Sequence, residues 1–136
     1  EALEEAFPAL RALGAKVIPL KVSGAFHTEL MSPAQASLRE ALAKVKFKPL
    51  AFPLVANTTA RPIKEPAEIK EELATQLTKP VLWKESVEFM TESGVDTFVE
   101  IGPKRVLAGL IKRTVPGKNV LNVEGPSELE KFFPKS

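Results

Sequence analysis

Asp96-Thr97-Phe98-Val99-Glu100-Ile101-Gly102-Pro103-Lys104-Arg105-Val106-Leu107-Ala108-Gly109-Leu110-Ile111 reads as a strand, a tight turn and the opening of a helix. Asp96 to Ile101 is short and apolar, and Gly94 and Gly102 bound it. Val106, Leu107, Leu110 and Ile111 then return at helical spacing. Asn119 to Val123 supplies another strand, and a strand, a helix and a strand in that order argue for a parallel βαβ unit, because parallel strands need a crossover. Pro126 and Ser127 open a terminal helix expected to run through Phe133.

Working back from this unit, a helix carries Val87 and Met90, and another carries Ile69, Leu73, Gln76 and Leu77, ending before Pro80. Thr58 to Pro66 is polar, contains prolines and reads as a loop. Phe52 to Asn57 reads as a strand. Ser32-Pro33 starts a helix whose buried stripe is Leu38, Leu42 and Val45, with Ser32 suited to cap free amides. Ala15 to Val22 reads as a strand that turns irregular at Pro19. Leu3, Ala6, Phe7, Leu10 and Leu13 form a helix that ends at Gly14, the residue best able to adopt a left-handed cap. The alternation predicts an α/β fold with helices covering a parallel sheet.

At 136 residues, with 44% hydrophobic and 26% charged, the composition is that of one ordinary globular unit. A net charge of +2 is too small for binding dominated by phosphate neutralisation, so no nucleic-acid partner is expected. The absence of cysteine removes disulfides, thiolate nucleophiles and thiolate metal sites, and one histidine makes an imidazole-rich metal centre equally unexpected. No apolar run approaches a membrane span and no signal segment opens the chain, which reads as cytoplasmic. Residue 1 is Glu and a helical pattern begins at once, as expected of a cut end.

His27 is the one side chain of a type that titrates near neutrality, and it follows a strand, where open α/β sheets place ligands. It is the first candidate for a general base. A histidine of no catalytic use is the alternative, and position alone does not separate the two. Gly102-Pro103 lies at a strand–helix junction, but its glycines are too sparse for a phosphate cradle, and a packing turn is the better reading.

Four stretches carry a resemblance. Val22-Ser23-Gly24-Ala25-Phe26-His27-Thr28-Glu29-Leu30-Met31 resembles the histidine motif of malonyl-CoA:acyl carrier protein transacylases and related acyltransferase domains. Ala56-Asn57-Thr58-Thr59-Ala60, Gln76-Leu77-Thr78-Lys79-Pro80-Val81-Leu82-Trp83 and Glu100-Ile101-Gly102-Pro103-Lys104-Arg105-Val106-Leu107-Ala108-Gly109-Leu110 follow in the family's order. The resemblance implies the carboxyl-terminal part of an α/β-hydrolase-like acyltransferase core over residues 21–136, preceded over residues 1–20 by the end of a ferredoxin-like insert. It also implies transfer of malonyl from coenzyme A to the phosphopantetheine thiol of acyl carrier protein through an acyl-serine, with no metal or redox cofactor. His27 inherits the role of base, and the residue whose backbone carbonyl orients that base matches Gln76. Phe26 matches a position whose bulk accompanies malonyl selection, and Asn57 is a candidate for lining the substrate site. Thr28-Glu29 replaces the Ser-Pro often found after the histidine, which leaves the local loop geometry open.

The family's nucleophile lies in a Gly-x-Ser-x-Gly elbow, and no such sequence occurs here. The expected partners are therefore an amino-terminal half bearing that elbow, malonyl-CoA and acyl carrier protein, and the chain alone is expected to be inactive. A non-catalytic binding or scaffold module of the same fold is the alternative. The basic clusters Lys44, Lys46 and Lys48, and Lys112, Arg113 and Lys118, could assist docking of an acidic carrier protein or simply be solvated surface.

Overall fold

The computed structural model describes residues 2–19 and 24–132. In chain order the elements are α1 (Ala2–Ala12), a 3-10 turn (Glu29–Met31), α2 (Ser32–Ala43), β1 (Leu54–Val55), β2 (Pro62–Ile63) and α3 (Pro66–Thr75). They continue with α4 (Trp83–Glu92), β3 (Thr97–Ile101), α5 (Val106–Thr114), β4 (Asn119–Val123) and α6 (Pro126–Phe132).

The βαβ unit forms. β3 and β4 run parallel in continuous register from Thr97 opposite Asn119 to Ile101 opposite Val123, with α5 as the crossover. The turn into α5 is closed from both sides. The Glu100 carboxylate accepts the amides of Leu107 (3.1 Å) and Ala108 (2.8 Å), occupying the free donors at the helix start. Asn122 donates its amide to the Lys104 carbonyl at 2.9 Å. Those helix amides are thus already bonded, consistent with a packing turn rather than an anion cradle. Because side chains alternate along a strand, Phe98 points into the core while Thr97, Val99 and Ile101 lie on the opposite face. Val87, Phe98 and Ile111 form the buried cluster, with Trp83, Met90, Val95, Val115 and Val120 packed against it. On the other face Ile101 is 78% exposed.

α1 ends as its sequence predicts. Ala15 donates its amide to the Leu10 carbonyl (3.0 Å) and Gly14 to that of Arg11 (2.9 Å), a paired closure that requires the left-handed φ of 80° at Gly14.

Four expectations change. Ala15–Pro19 forms no strand, because no described segment lies alongside to complete a ladder, and residues 20–22 of that expected strand lie outside the described residues. The strand expected over Phe52–Asn57 shortens to Leu54–Val55, which pairs antiparallel with Pro62–Ile63, inside the stretch read as loop. Ala56 donates to the Arg61 carbonyl (2.9 Å) and Ala60 to that of Ala56 (3.0 Å), so the intervening turn folds the chain back on itself. Ser32 does not cap α2. The preceding 3-10 turn runs into the helix, Met31 becomes the flanking residue, and the Ser32 hydroxyl donates to the Glu29 carbonyl at 2.7 Å. In the α2 stripe Leu42 is buried, but Val45, beyond the helix end, is exposed. The last expected helical residue, Phe133, lies outside the described residues. Among the described residues no helix is long and apolar enough to cross a membrane.

α2 and α3 pack side by side, and Arg39 joins them by donating both terminal nitrogens to the Glu71 carboxylate, each at 2.7 Å. Hydrogen bonding from Arg39, aided by its charge, holds the Glu71 carboxyl below the ordinary carboxylate range. Across the sheet entrance, Lys118 does the same to Asp96. A carboxyl whose folded-state pKa is depressed stabilises the fold above its unfolded value, and that contribution is lost as pH falls through the folded value. Both pairs are solvent-screened, so the effect is small. Urea denaturation at neutral pH and near pH 3 should show the wild type losing more stability on acidification than Arg39→Gln. Equal losses would mean that the Arg39–Glu71 pair contributes nothing.

Candidate active site

The site is built on the end of α3. This helix begins with a reciprocal cap. Glu65 accepts the Glu68 amide, Glu68 accepts the amides of Glu65 (3.0 Å) and Lys64 (3.1 Å), and Pro66 occupies the first turn. Those two backbone bonds lower the Glu68 carboxyl below its ordinary range. The regular helix stops at Thr75, with Gln76 as the flanking residue, so the carbonyls that follow need partners from elsewhere.

Distant segments supply them. Gln35 of α2 donates its amide to the Ala74 carbonyl (3.0 Å) and to the Thr78 hydroxyl (3.1 Å). His27 takes the carbonyls of Gln76 and Leu77. Its backbone amide donates to the Leu77 carbonyl at 2.9 Å, and its ring Nδ1 lies 2.7 Å from the Gln76 carbonyl oxygen. A carbonyl can only accept, so Nδ1 carries the hydrogen and, in the neutral ring, Nε2 holds the free lone pair. The His27 side chain is exposed, and Nε2 has no partner among the described residues.

The backbone at His27 has φ of 65°, a left-handed conformation that L residues other than glycine adopt only at a cost. The surrounding turn holds it there. Thr28 donates its hydroxyl to the Ala25 carbonyl at 2.7 Å, and Met31 donates its amide to the Thr28 carbonyl at 3.0 Å. Lys79 approaches Glu29 at 3.5 Å, a further exposed tie between this loop and the α3 end. Thr28 and Glu29 therefore help to close the loop.

Asn57 reaches the same helix end from the β1 side. Its side-chain amide donates to Gln76 Oε1 at 2.9 Å, its backbone amide donates to Glu72 Oε1 at 2.7 Å, and its carbonyl accepts the Leu82 amide at 2.8 Å. Glu72, 7% exposed, also accepts the Thr58 amide (3.2 Å) and the Thr58 hydroxyl (2.5 Å). His27, Gln76 and Asn57 are thus brought together. Phe26 is adjacent in sequence and 56% exposed, with its ring against the Gly24 backbone, where a Cβ would come within 2.6 Å of it.

Glu72, Gln35 and Thr58 were not singled out from the sequence. Glu72 had a usable signal, since it falls on the inward stripe of Ile69, Leu73 and Gln76, where a carboxylate has to find donors. Two clefts lie near this helix. One of about 450 Å³ between α2 and α3 is lined by Arg39, Leu42, Phe47 and Lys70, and one of about 440 Å³ by Thr58, Glu72, Thr75 and Lys79. Neither includes His27, which stands at open surface.

A Bacillus subtilis malonyl-CoA:acyl carrier protein transacylase is 43% identical over 118 residues, covering 86% of this chain and 37% of the relative. The solved acyl-carrier-protein S-malonyltransferase of Bartonella henselae superposes with a TM-score of 0.87 at 36% identity, over 96% of this chain and 42% of that one. By sequence and by fold, the chain belongs to the malonyl-CoA:acyl carrier protein transacylase family. A transacylase solved in complex with a type II polyketide acyl carrier protein matches equally well, with a TM-score of 0.85 and 41% identity over 94% of this chain and 42% of that one. No family model matches the chain. It spans about two fifths of the length of the transacylases it resembles.

Proposed function

We propose that this chain supplies the base-bearing part of an enzyme that moves malonyl from coenzyme A to the phosphopantetheine thiol of acyl carrier protein, in fatty-acid biosynthesis in the cytoplasm. The observation that carries the reading is His27, with Nδ1 turned to the Gln76 carbonyl and Nε2 exposed, in a chain of transacylase kinship. In this reading the serine comes from an amino-terminal partner segment bearing a Gly-x-Ser-x-Gly elbow, a motif that this sequence does not contain.

In the first half-reaction Nε2 accepts the serine hydroxyl proton as the oxygen attacks the malonyl thioester carbonyl. The carbon–sulfur bond then breaks, and the imidazolium returns the proton to the coenzyme A sulfur. In the second, Nε2 takes the proton of the pantetheine thiol, the thiolate attacks the acyl-serine, and the serine oxygen leaves with that proton. The Gln76 carbonyl holds the tautomer as a carboxylate would, but stabilises the imidazolium less. Phe26 narrows the pocket against a branched acyl group. The sequence so described needs no metal or redox cofactor. Residues 1–20 complete a ferredoxin-like insert, and residues 21–136 belong to the acyltransferase core.

The test is to mix the chain with an amino-terminal half carrying the serine elbow and to follow malonyl transfer to acyl carrier protein. Transfer that requires both parts supports the proposal. Association without transfer would favour the alternative, a non-catalytic module of the same fold.

A further inference from the structure

Gln76 lies beyond the last regular residue of α3, where the helix ladder no longer fixes the direction of a carbonyl. Yet its carbonyl is what selects the protonated nitrogen of His27. A closed circuit of hydrogen bonds surrounds it. The Gln76 amide donates back to the Glu72 carbonyl at 3.0 Å, the Glu72 carboxylate accepts the Asn57 amide, and the Asn57 side chain returns to the Gln76 side chain. Glu72 and Gln76 are one turn apart on α3, so Asn57 bridges both from a different element. The Asn57 backbone is pinned again by Leu82, and Thr58 places two more donors on the same carboxylate. The amide of Asn57 is therefore committed to Gln76, and its backbone to Glu72 and Leu82.

We propose that Asn57, braced by Glu72, is a positioning residue that fixes the Gln76 carbonyl and through it holds His27 in the Nδ1–H tautomer. Its functional meaning rests on the reading of His27 as a base, but the tautomer itself does not. Without the circuit, the Gln76 carbonyl keeps only its backbone ties and loses the side-chain brace on its direction, which weakens its hold on the nitrogen that it selects. Nε2 would then carry the hydrogen in part of the molecules and could not accept a proton there. Glu72→Gln is the conservative control. Its amide oxygen can still accept both backbone amides, and its nitrogen can donate to the Thr58 hydroxyl.

His27 is the sole histidine, so long-range proton–nitrogen spectra of the chain labelled with nitrogen-15 histidine report this ring alone. At alkaline pH, where imidazole is neutral, the wild type should show Nδ1–H as the dominant tautomer. Asn57→Ala and Glu72→Ala should each lower the ratio of Nδ1–H to Nε2–H by about 3- to 10-fold, the size expected from one net hydrogen bond. Glu72→Gln should keep the wild-type ratio. Melting curves on the same samples separate a purely structural role. Lower melting temperatures with unchanged tautomer ratios in both alanine variants, or a wild type dominated by Nε2–H, would overturn the proposal. The readout needs neither serine nor substrate, so its failure is distinct from a failure of the transacylase reading.

Discussion

His27→Ala should cut malonyl transfer by the reassembled transacylase about 10²- to 10⁴-fold, the range for removing a positioned general acid–base. The loss should fall mainly on kcat, with KM for malonyl-CoA little changed, because the role proposed for Nε2 is to move a proton in the transition state and not to bind malonyl in the ground state. The side chain is exposed and its ring makes one protein hydrogen bond, so the substitution should leave the melting temperature nearly unaltered. Gln76→Ala provides the contrast. It keeps a backbone carbonyl able to accept the Nδ1 hydrogen but deletes the side-chain amide that Asn57 holds, so its loss should be smaller, about the 3- to 10-fold expected for Asn57→Ala. Steady-state kinetics on both variants check this pair. Comparable activity in His27→Ala and wild type would remove His27 as the base.

The second large effect is on stability. Phe98→Ala should cost about 3–5 kcal/mol, since it deletes the aromatic ring of the buried cluster and leaves Val87 and Ile111 facing a void. Domains of this kind are stabilised by only about 5–15 kcal/mol in total, so the variant should show a much lower urea midpoint or fail to fold. Ile101→Ala, on the opposite face of the same strand and 78% exposed there, should stay within about 0.5 kcal/mol of wild type. Similar costs for the two would mean that Phe98 does not anchor the core.

The βαβ unit was legible because each part carries its own local signal: a short apolar run between glycines, a helical stripe, and a second apolar run. The α1 terminus was legible for the same reason at Gly14. The β1–β2 pair was not. Two-residue strands are too short for an alternation to register, and Pro62 argued for a loop. Ser32 misled because capping depends on where the preceding turn ends, and the Glu29–Met31 turn is set by contacts around His27.

In the site, His27 stood out as the only imidazole. Gln76 entered through resemblance, because a backbone carbonyl leaves no trace in side-chain chemistry. Glu72 and Asn57 act on one another across fifteen residues, through a main-chain amide on one side, and no spacing rule reports such a bond.

The fastening of His27 to a helix end 49 residues away has a further consequence. The 24–31 segment touches the turn after α3 through a handful of polar contacts and carries exposed side chains such as Phe26 and Leu30, while the cluster of Val87, Phe98 and Ile111 holds a different part of the chain. Segments with few buried contacts open locally, at a fraction of the free energy of global unfolding. If His27 is the base, inactivation of the reassembled enzyme on heating should therefore be a loop-opening event that precedes the cooperative melt, which would make catalytic half-life and thermal midpoint separately adjustable.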